Sequence, residues 1–190
     1  MTTRHLDELA QGLNQQNLQL RLWHEHDAEA LVGALHESMP SIGYWQAWCT
    51  PDYAVEDARQ WIELTRESWQ GRGDECALAM ADKQSRELIG CIAVNQFRPE
   101  FQMANIGYWV RQSRQGQGNA ALAINVLAAY AFSHLGLQRL EIVVAVENLP
   151  SQRSAERAGA PFEGIARQRL SVRGQPQDAR MYSLIPADLS

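Results

Sequence analysis

A glycine-rich segment between a predicted strand and a predicted helix constrains the fold of this chain most. Residues 115–120 read QGQGNA, separated by four residues from the preceding strand-like run Ala104–Val110 and followed by a nearly all-apolar helical stretch that Gly136 is placed to end. Paired glycines let the backbone bend tightly and approach a ligand closely. A helix N-terminus adds unpaired N–H donors and a partial positive charge. The segment therefore predicts an anion site that suits a pyrophosphate.

Three interpretations of this loop compete. The first is a purely structural turn. The second is a dinucleotide-binding fingerprint, since Gly116, Gly118 and Ala121 satisfy G-x-G-x-x-A. That fingerprint should open the first strand–helix unit and be followed by an acidic residue about 20 residues on, whereas this loop follows antiparallel-looking strands and Glu147 comes 31 residues after Gly116. A Walker loop is excluded because no Lys-Ser or Lys-Thr follows the glycines. The third interpretation, a coenzyme A pyrophosphate loop, explains the flanking sequence better.

The rest of the chain alternates short strands and helices. The predicted strands are Leu18–Trp23, Cys76–Met80, Leu88–Gln96, Ala104–Val110, Leu140–Val146, Glu163–Ser171 and Arg180–Ile185, and the predicted helices are Ala28–Leu35, Val55–Trp69, the stretch after the glycines, and Pro150–Ala158. Asp27 is a possible N-cap of the first helix, and Met39–Thr50 reads as an irregular connection. The apolar run Leu140–Val146 is typical of a strand buried on both faces. This order predicts an α+β (mixed α/β) domain around a central twisted sheet.

Residues 1–17 read as a polar leader, and residues 18–190 as a single domain without repeats or a low-complexity linker. Of the residues, 45% are hydrophobic and 21% charged, as in ordinary globular proteins. No apolar run approaches the ~20 residues that span a bilayer, and no apolar core of a signal peptide is visible. We therefore expect a cytoplasmic protein without a membrane partner.

Charge and cysteine content exclude several classes of function. The net charge is −5 and the only basic cluster is the short stretch at 111–114, so nucleic-acid binding has no support. Three scattered cysteines fit reduced, buried thiols better than a disulfide framework. Neither the cysteines nor the five histidines show metal-ligand spacing, so we expect no metal.

The flanks of the glycine loop resemble the GCN5-related N-acetyltransferase (GNAT) superfamily, and specifically its RimJ/RimL-type branch. The matching segments are IGYWV (106–110), RQGQGNA (114–120), AYAFSHLGLQRLEI (129–142), ENLPSQRSAERAGAPFEG (147–164) and QDARMYSLI (177–185), with LQLRLWHEHDAEAL (18–31) resembling the opening strand and helix. The resemblance implies a GNAT-like central twisted, mostly antiparallel sheet, flanked by helices. Its parallel middle strands would splay apart at Tyr108–Val110 and Val143–Val146.

The resemblance also implies acetyl-CoA as cosubstrate and a set of residues that hold it. The matching positions are Val110, Arg111, Gln115, Gly116, Gln117, Gly118, Asn119 and Ala120, followed by Asn148 and Ser151 of the N-x-x-S element. Backbone amides of the first group would bind pantetheine and pyrophosphate. Asn148 would contact the coenzyme, and Ser151 would lie near its sulfur.

Acyl transfer expels a thiolate, and a hydroxyl hydrogen-bonded to the sulfur can stabilise it and relay a proton. Ser151 is the candidate for that role, although serine is also a favoured N-cap and could cap the short helix 152–158. Tyr108 is a second candidate proton handler or oxyanion neighbour, with plain core packing as its alternative. Backbone donors near Val110 would stabilise the oxyanion, and the cysteines suggest no acyl-enzyme.

The general base is where the chain departs from the family pattern. Many relatives carry Glu at the position that Asn105 occupies here, and an asparagine amide cannot take a proton. Glu100 is the nearest carboxylate and the first candidate, with a solvated loop glutamate as its alternative. If the base is missing, water could deprotonate an α-amine, because that group (pKa ~7.8) is far more often uncharged at pH 7 than a lysine amine (pKa ~10.4).

The predicted function is therefore acetyl-CoA-dependent transfer of an acetyl group to a primary amine by direct attack within a ternary complex. The acceptor could be a protein or peptide N-terminus or a small amine. A non-catalytic acyl-CoA-binding or sensor module is the alternative, and an NAD-binding domain a third. In the segment where the family builds its acceptor side lie four tryptophans: Trp45, Trp48, Trp61 and Trp69. They are either core residues or walls of an acceptor groove. The sequence does not distinguish monomer from homodimer.

Overall fold

The computed structural model describes Leu9 and residues 11–189, and in this part of the chain eight strands form one sheet. The strands are β1 (Leu13–Gln15), β2 (Leu18–Arg21), β3 (Glu75–Asp82), β4 (Leu88–Arg98), β5 (Met103–Val110), β6 (Arg139–Ala145), β7 (Phe162–Val172) and β8 (Gln175–Leu184). The helices are α1 (Ala28–Ile42), α2 (Val55–Glu67), α3 (Asn119–His134) and α4 (Leu149–Arg157).

The sheet is mostly antiparallel and runs in the order β1-β2-β3-β4-β5-β6-β8-β7. Its exception is the parallel pair β5–β6. This pair is joined only at its beginning, from Met103 opposite Arg139 to Asn105 opposite Glu141. Beyond Asn105 the two strands separate, which leaves a gap in the middle of the sheet. The predicted α+β class, mostly antiparallel sheet and splayed parallel middle strands are confirmed.

Alternating side chains of the middle strands supply two apolar cores, one on each face of the sheet. Leu78, Met80 and Ile92 belong to the core that α3 covers. Ala77, Ala79 and Cys91, which alternate with them, belong to the core on the other side, with α1 and α2. Because successive strand residues point to opposite faces, a strand covered on both sides must be apolar throughout, as β3 and β4 nearly are.

The first helix differs from its prediction at both ends. It continues through Pro40 to Ile42, where an irregular connection was expected. Pro40 removes only one backbone N–H, close to the helix end, so the last turn tolerates it. At the start, the Asp27 side chain does not cap α1. Its carboxylate accepts the N–H of His24 at 2.8 Å and two hydrogen bonds from the Arg21 guanidinium, and so stabilises the turn before the helix.

Two further predictions need correction. Only alternate residues of β6 are fully buried up to Val144, whereas burial on both faces was expected along the whole strand. The reason is the gap beside β6, which leaves Val143 in a cavity wall.

Part of the predicted polar leader belongs to the folded structure. Leu13–Gln15 pairs with β2, and Leu9 is fully buried. Residues 1–8 and 10 lie outside the described residues. The division into one domain stays a prediction.

The described residues contain neither a membrane-spanning helix nor a cluster of metal ligands. Among Leu9 and residues 11–189, no helix is long and apolar enough to cross a bilayer. In the same residues no group of three or more His, Cys, Asp or Glu side chains is placed to hold a metal ion. The three cysteines are free and buried.

Candidate active site

A large cavity fills the gap between β5 and β6. Its volume is about 1010 Å³, at the upper end of the ~300–1,000 Å³ of small-molecule sites. Its wall includes the glycine loop, the first turn of α3, the end of α1 with the residues just after it, and the ends of β4 and β7. Tyr108 of β5 and Ser151 of α4 lie among the lining residues. The cavity therefore extends beyond the predicted anion site.

The glycine loop has the backbone conformation that its sequence predicts. Gly116 and Gly118 have φ angles of 74° and 83°, in the left-handed region that side chains disfavour. Gly118 is the N-cap of α3, and Ala120 and Ala121 of the first turn line the cavity. The first backbone N–H groups of a helix have no partner within it. This end of the cavity is therefore suited to an anion.

Helix α1 holds the loop in place. The Glu37 carboxylate accepts the N–H of Ser113 at 2.7 Å, and Ser38 Oγ accepts the N–H of Gln112 at 3.0 Å. The side chain of Gln115 donates to Ser41 Oγ at 3.1 Å and to the Val110 carbonyl at 2.8 Å. A segment with little regular structure is thus fixed by a helix more than 70 residues earlier in the chain.

Two residues that the resemblance places on the coenzyme are not among the lining residues. The Arg111 guanidinium donates to Glu37, to Glu87 at 2.9 Å and to the Leu88 carbonyl at 3.2 Å. Its hydrogen bond and the Ser113 N–H lower the pKa of Glu37 to about 2. Gln117 instead donates to the Ser113 carbonyl at 3.3 Å. The other predicted coenzyme positions line the cavity: Val110, Gln115, Gly116, Gly118, Asn119, Ala120, Asn148 and Ser151.

Ser151 and Tyr108 form a hydroxyl pair across the gap. Tyr108 Oη lies 2.9 Å from Ser151 Oγ and donates to the Ser151 carbonyl at 3.0 Å. Asn148 is the N-cap of α4, and its Oδ1 accepts the N–H of Ser151 at 3.2 Å. The alternative in which Ser151 caps the helix is therefore wrong, since Asn148 occupies that position. The Ser151 hydroxyl is left free to face the cavity.

Tyr108 is suited to donate a proton rather than to take one. Burial raises its pKa to about 12, although hydrogen bonds with Ser151 and Ser154 act in the opposite direction. The phenol therefore stays protonated at neutral pH. If Tyr108 Oη donates to the backbone carbonyl, the Ser151 hydroxyl can donate to Tyr108 or to a ligand in the cavity.

The candidate base Glu100 and the residue at the usual base position, Asn105, differ in their relation to the cavity. Glu100 is exposed in the turn Pro99–Phe101 and is not among the lining residues. Asn105 does line the cavity, and its Nδ2 donates to Asn95 Oδ1 at 2.9 Å. Of the lining residues only Glu156 carries a carboxylate, and it accepts a hydrogen bond from the Tyr182 hydroxyl at 2.9 Å.

Several lining residues were not singled out from the sequence. Arg153 and Arg157 lie one turn apart on α4 at the loop end, where Arg157 Nη1 is 3.5 Å from the position of a Cβ at Gly118. Their i, i+4 spacing on a predicted helix next to the N-x-x-S element was a usable signal. No sequence signal pointed to Asn95, Gln96 or the end of β7, because these residues reach the cavity only through strand pairing.

The tryptophans divide between the core and the cavity. Trp45 lines the cavity, and Trp109, which was not among the four, does so as well. Trp69 is buried, and Trp61 packs edge-on against Trp23 with ring centroids 5.2 Å apart. Trp48 remains 44% exposed.

Comparison with known proteins identifies the family. Residues 17–161 match the family model described as an acetyltransferase (GNAT) domain. A Bacillus subtilis (strain 168) protein named "Probable N-acetyltransferase YjcK" is 30% identical over 164 residues, which cover 85% of this chain and 90% of that protein. The ribosomal-protein-serine acetyltransferase of Escherichia coli (strain K12) is 34% identical over 99 residues, 52% of this chain and 55% of that protein.

A solved structure shows the same fold with coenzyme A. RimL, a ribosomal L7/L12 alpha-N-protein acetyltransferase crystallised with coenzyme A, superposes with a TM-score of 0.81 at 24% identity over 93% of this chain and 97% of that one. The chain described here belongs to the GNAT acetyltransferase family, in its RimJ/RimL-type branch. It is therefore an enzyme that transfers acetyl groups, and nothing supports the non-catalytic alternative.

Proposed function

We propose that this enzyme transfers acetyl from acetyl-CoA directly to the α-amino group of a peptide or protein. The observation that carries the proposal is the Tyr108–Ser151 hydroxyl pair, which lies in one cavity with the glycine loop and with the amide side chains of Asn95, Gln96 and Asn105. A thioester bound at the loop end and an amine entering from the other end would meet beside these hydroxyls.

The loop end suits the anionic coenzyme. Backbone N–H groups of residues 116–121 and the dipole of α3 would bind the pyrophosphate. Arg153 and Arg157 add positive charge to the same end of the cavity. The free edges of β5 and β6 beyond Asn105 would give strand-like hydrogen bonds to the pantetheine arm, as an edge strand does for an added strand.

The hydroxyl pair would serve the leaving group. Acetyl-CoA supplies an activated acetyl group whose transfer expels a thiolate. Ser151 would donate a hydrogen bond to that sulfur, and Tyr108, kept protonated by its raised pKa, would hold the Ser151 hydroxyl in place. As the new C–N bond forms, the C–S bond breaks and the thiolate leaves to take a proton from water. Both residues act as donors, and neither acts as the base.

The other end of the cavity favours an α-amine. Its polar side chains are amides rather than carboxylates: Gln46, Asn95, Gln96 and Asn105. Without a carboxylate base the amine must arrive uncharged. At pH 7 an α-amine (pKa ~7.8) is uncharged in about one molecule in seven, and a lysine amine (pKa ~10.4) in about one in 2,500. The names of relatives that acetylate ribosomal proteins support the same acceptor class.

Release of free thiol from acetyl-CoA tests the proposal. We expect turnover with peptides that carry a free N-terminus and much less with N-blocked peptides that carry only lysine amines. Ser151→Ala should lower kcat roughly 10- to 100-fold, at the low end of general-acid effects because Tyr108 remains. Its KM for acetyl-CoA should change little.

Ser133→Ala is the matched control, because Ser133 lies at the end of α3 remote from the loop and its Oγ bonds within that helix, to the Ala129 carbonyl at 2.6 Å and nearby groups. It should behave as wild type. Equal rates for Ser151→Ala and wild type would exclude the role of Ser151. Preference for blocked, lysine-containing peptides would exclude the α-amine.

A further inference from the structure

A row of polar side chains crosses the sheet beside the cavity. Glu75 of β3, Asn95 of β4 and Asn105 of β5 are cross-strand partners in register, so they point to the same face of the sheet. Hydrogen bonds join them, since Asn105 Nδ2 donates to Asn95 Oδ1 at 2.9 Å and Asn95 Nδ2 donates to Glu75 Oε2 at 3.2 Å. The two amides line the cavity and Glu75 does not.

The row has a direction, and Glu75 sets it. A carboxylate only accepts hydrogen bonds, whereas an asparagine amide has a donor end and an acceptor end. Asn95 therefore turns its Nδ2 toward Glu75 and its Oδ1 toward Asn105. Asn105 must then use its own Nδ2 toward Asn95, which leaves its Oδ1 at the end of the row.

Asn105 Oδ1 is buried and has no hydrogen-bond partner among the described residues. Buried polar atoms are rarely left in this state, because the lost hydration is not compensated. The atom belongs to a cavity-lining residue at the point where β5 and β6 part. The partner that it lacks is an N–H donor, and a primary amine is such a donor.

Given the N-acetyltransferase function proposed above, we infer that this row orients the acceptor amine. Asn105 Oδ1 accepts an N–H of the incoming amine, and Glu75 is the positioning residue that keeps this oxygen available. A carboxylate at position 105 would stabilise the charged ammonium form of the acceptor. The neutral amide oxygen holds the amine without that effect, so more of the bound acceptor is in its nucleophilic form.

Glu75→Gln tests the positioning role. Glutamine is nearly the same size but can donate to Asn95, so the row can reverse and present Asn105 Nδ2 in place of Oδ1. We expect KM for the acceptor peptide to rise roughly 10-fold, as for one lost hydrogen bond with an unsatisfied partner. KM for acetyl-CoA should stay at the wild-type value. Asn95→Ala interrupts the same row at its middle and should raise the acceptor KM as well.

Glu141→Gln is the matched control. Glu141 of β6 is the cross-strand partner of Asn105 on the strand that flanks β5 opposite β4. Arg139 Nη2 donates to the Glu141 carboxylate at 3.2 Å. It should leave both KM values unchanged. In an Asn105→Ala background, Glu75→Gln should add no further effect, because the row then has no oxygen to present.

The outcomes separate this inference from the proposed function. If wild type turns over peptides but Glu75→Gln and Asn95→Ala keep its acceptor KM, only the inference is overturned. A Glu75→Gln effect of equal size on both KM values, or one that persists in the Asn105→Ala background, overturns it too, since it indicates a merely structural role. Failure of wild type to acetylate any amine overturns both.

A spectroscopic measurement tests the direction of the row without turnover. The side-chain amide signals of Asn95 and Asn105 in a nitrogen–proton NMR spectrum should both shift in Glu75→Gln, and those of Asn119, whose Nδ2 donates to the Arg114 carbonyl, should not. Unchanged Asn95 and Asn105 signals would show that Glu75 does not set the orientation.

Discussion

At the scale of single residues, the chemistry of the site depends on which groups keep their protons. Tyr108 is half-buried, and desolvation raises its pKa to about 12. The Asn105 amide of the cavity wall cannot take a proton, and the exposed Glu100 is not among the lining residues. Under the proposed function, the protein hydroxyls donate hydrogen bonds to the leaving group, and the acceptor amine loses its proton to water. The pH dependence of the reaction should follow the substrate rather than the enzyme.

We expect kcat/KM to rise with pH until the pKa of the acceptor amine, near ~7.8 for a peptide N-terminus. Above that value it should stay level to about pH 10, because the acid Tyr108 remains protonated. A peptide whose α-amine has a lower pKa should shift the rise to lower pH by the same amount. A rise near pH 4–5 that does not move with the substrate would indicate a carboxylate base and contradict this assignment.

At the scale of elements, the glycine loop and the start of α3 form one unit whose geometry suits an anion. Gly116 has φ of 74° with open space around the position of a Cβ, so alanine there would suffer only backbone strain. Gly136, just after α3, is in the same situation with φ of 67°. The two glycines differ in location, since only Gly116 lines the cavity.

Gly116→Ala should therefore raise KM for acetyl-CoA about 5- to 30-fold, the equivalent of the ~1–2 kcal/mol that a left-handed non-glycine residue costs. Gly136→Ala should lower the melting temperature by a similar amount as Gly116→Ala but leave KM at the wild-type value. Steady-state kinetics with a thermal melt of each variant measures both. A KM increase in both variants would mean that general destabilisation, and not loop geometry, is responsible.

At the scale of the whole molecule, one carboxylate ties the two sides of the sheet together. Glu37 of α1 binds Arg111 and the Ser113 N–H, at the start of the loop that leads to α3 on the other face. These hydrogen bonds lower its pKa to about 2, from an ordinary value of 4.5. Because the folded-state pKa is the lower one, the stabilisation is complete above pH 4.5 and is lost as pH falls toward 2.

Glu37→Gln should thus reduce the free energy of unfolding at pH 7, and its difference from wild type should shrink between pH 4.5 and 2. Urea titrations across that range measure the difference. Glu56→Gln is the control, because Glu56 and Arg59 form an exposed ion pair at 3.5 Å and such pairs contribute little. A Glu37→Gln difference that is the same at pH 7 and pH 2.5 would contradict the assigned pKa.

The sequence by itself determined those features that depend on local backbone conformation and periodicity. Gly116 and Gly118 allow the positive φ that the loop adopts, and the alternation of apolar and polar residues predicted the opening strand from Leu18. The order of motifs identified the family. Local patterns also misled, as at Pro40, which the last turn of α1 accommodates, and at Ser151, where Asn148 took the N-cap.

Only the tertiary structure decided which distant residues meet. Arg111 pairs with Glu37, 74 residues earlier, instead of lining the cavity. Glu75, Asn95 and Asn105 form one row because three strands pair in a particular register, and a shift by one residue would turn any of them to the other face. Such contacts depend on the packing of the whole chain, which no local pattern encodes. The glycine loop of the cavity was thus readable from one segment, whereas the row of Glu75, Asn95 and Asn105 exists only once the sheet has formed.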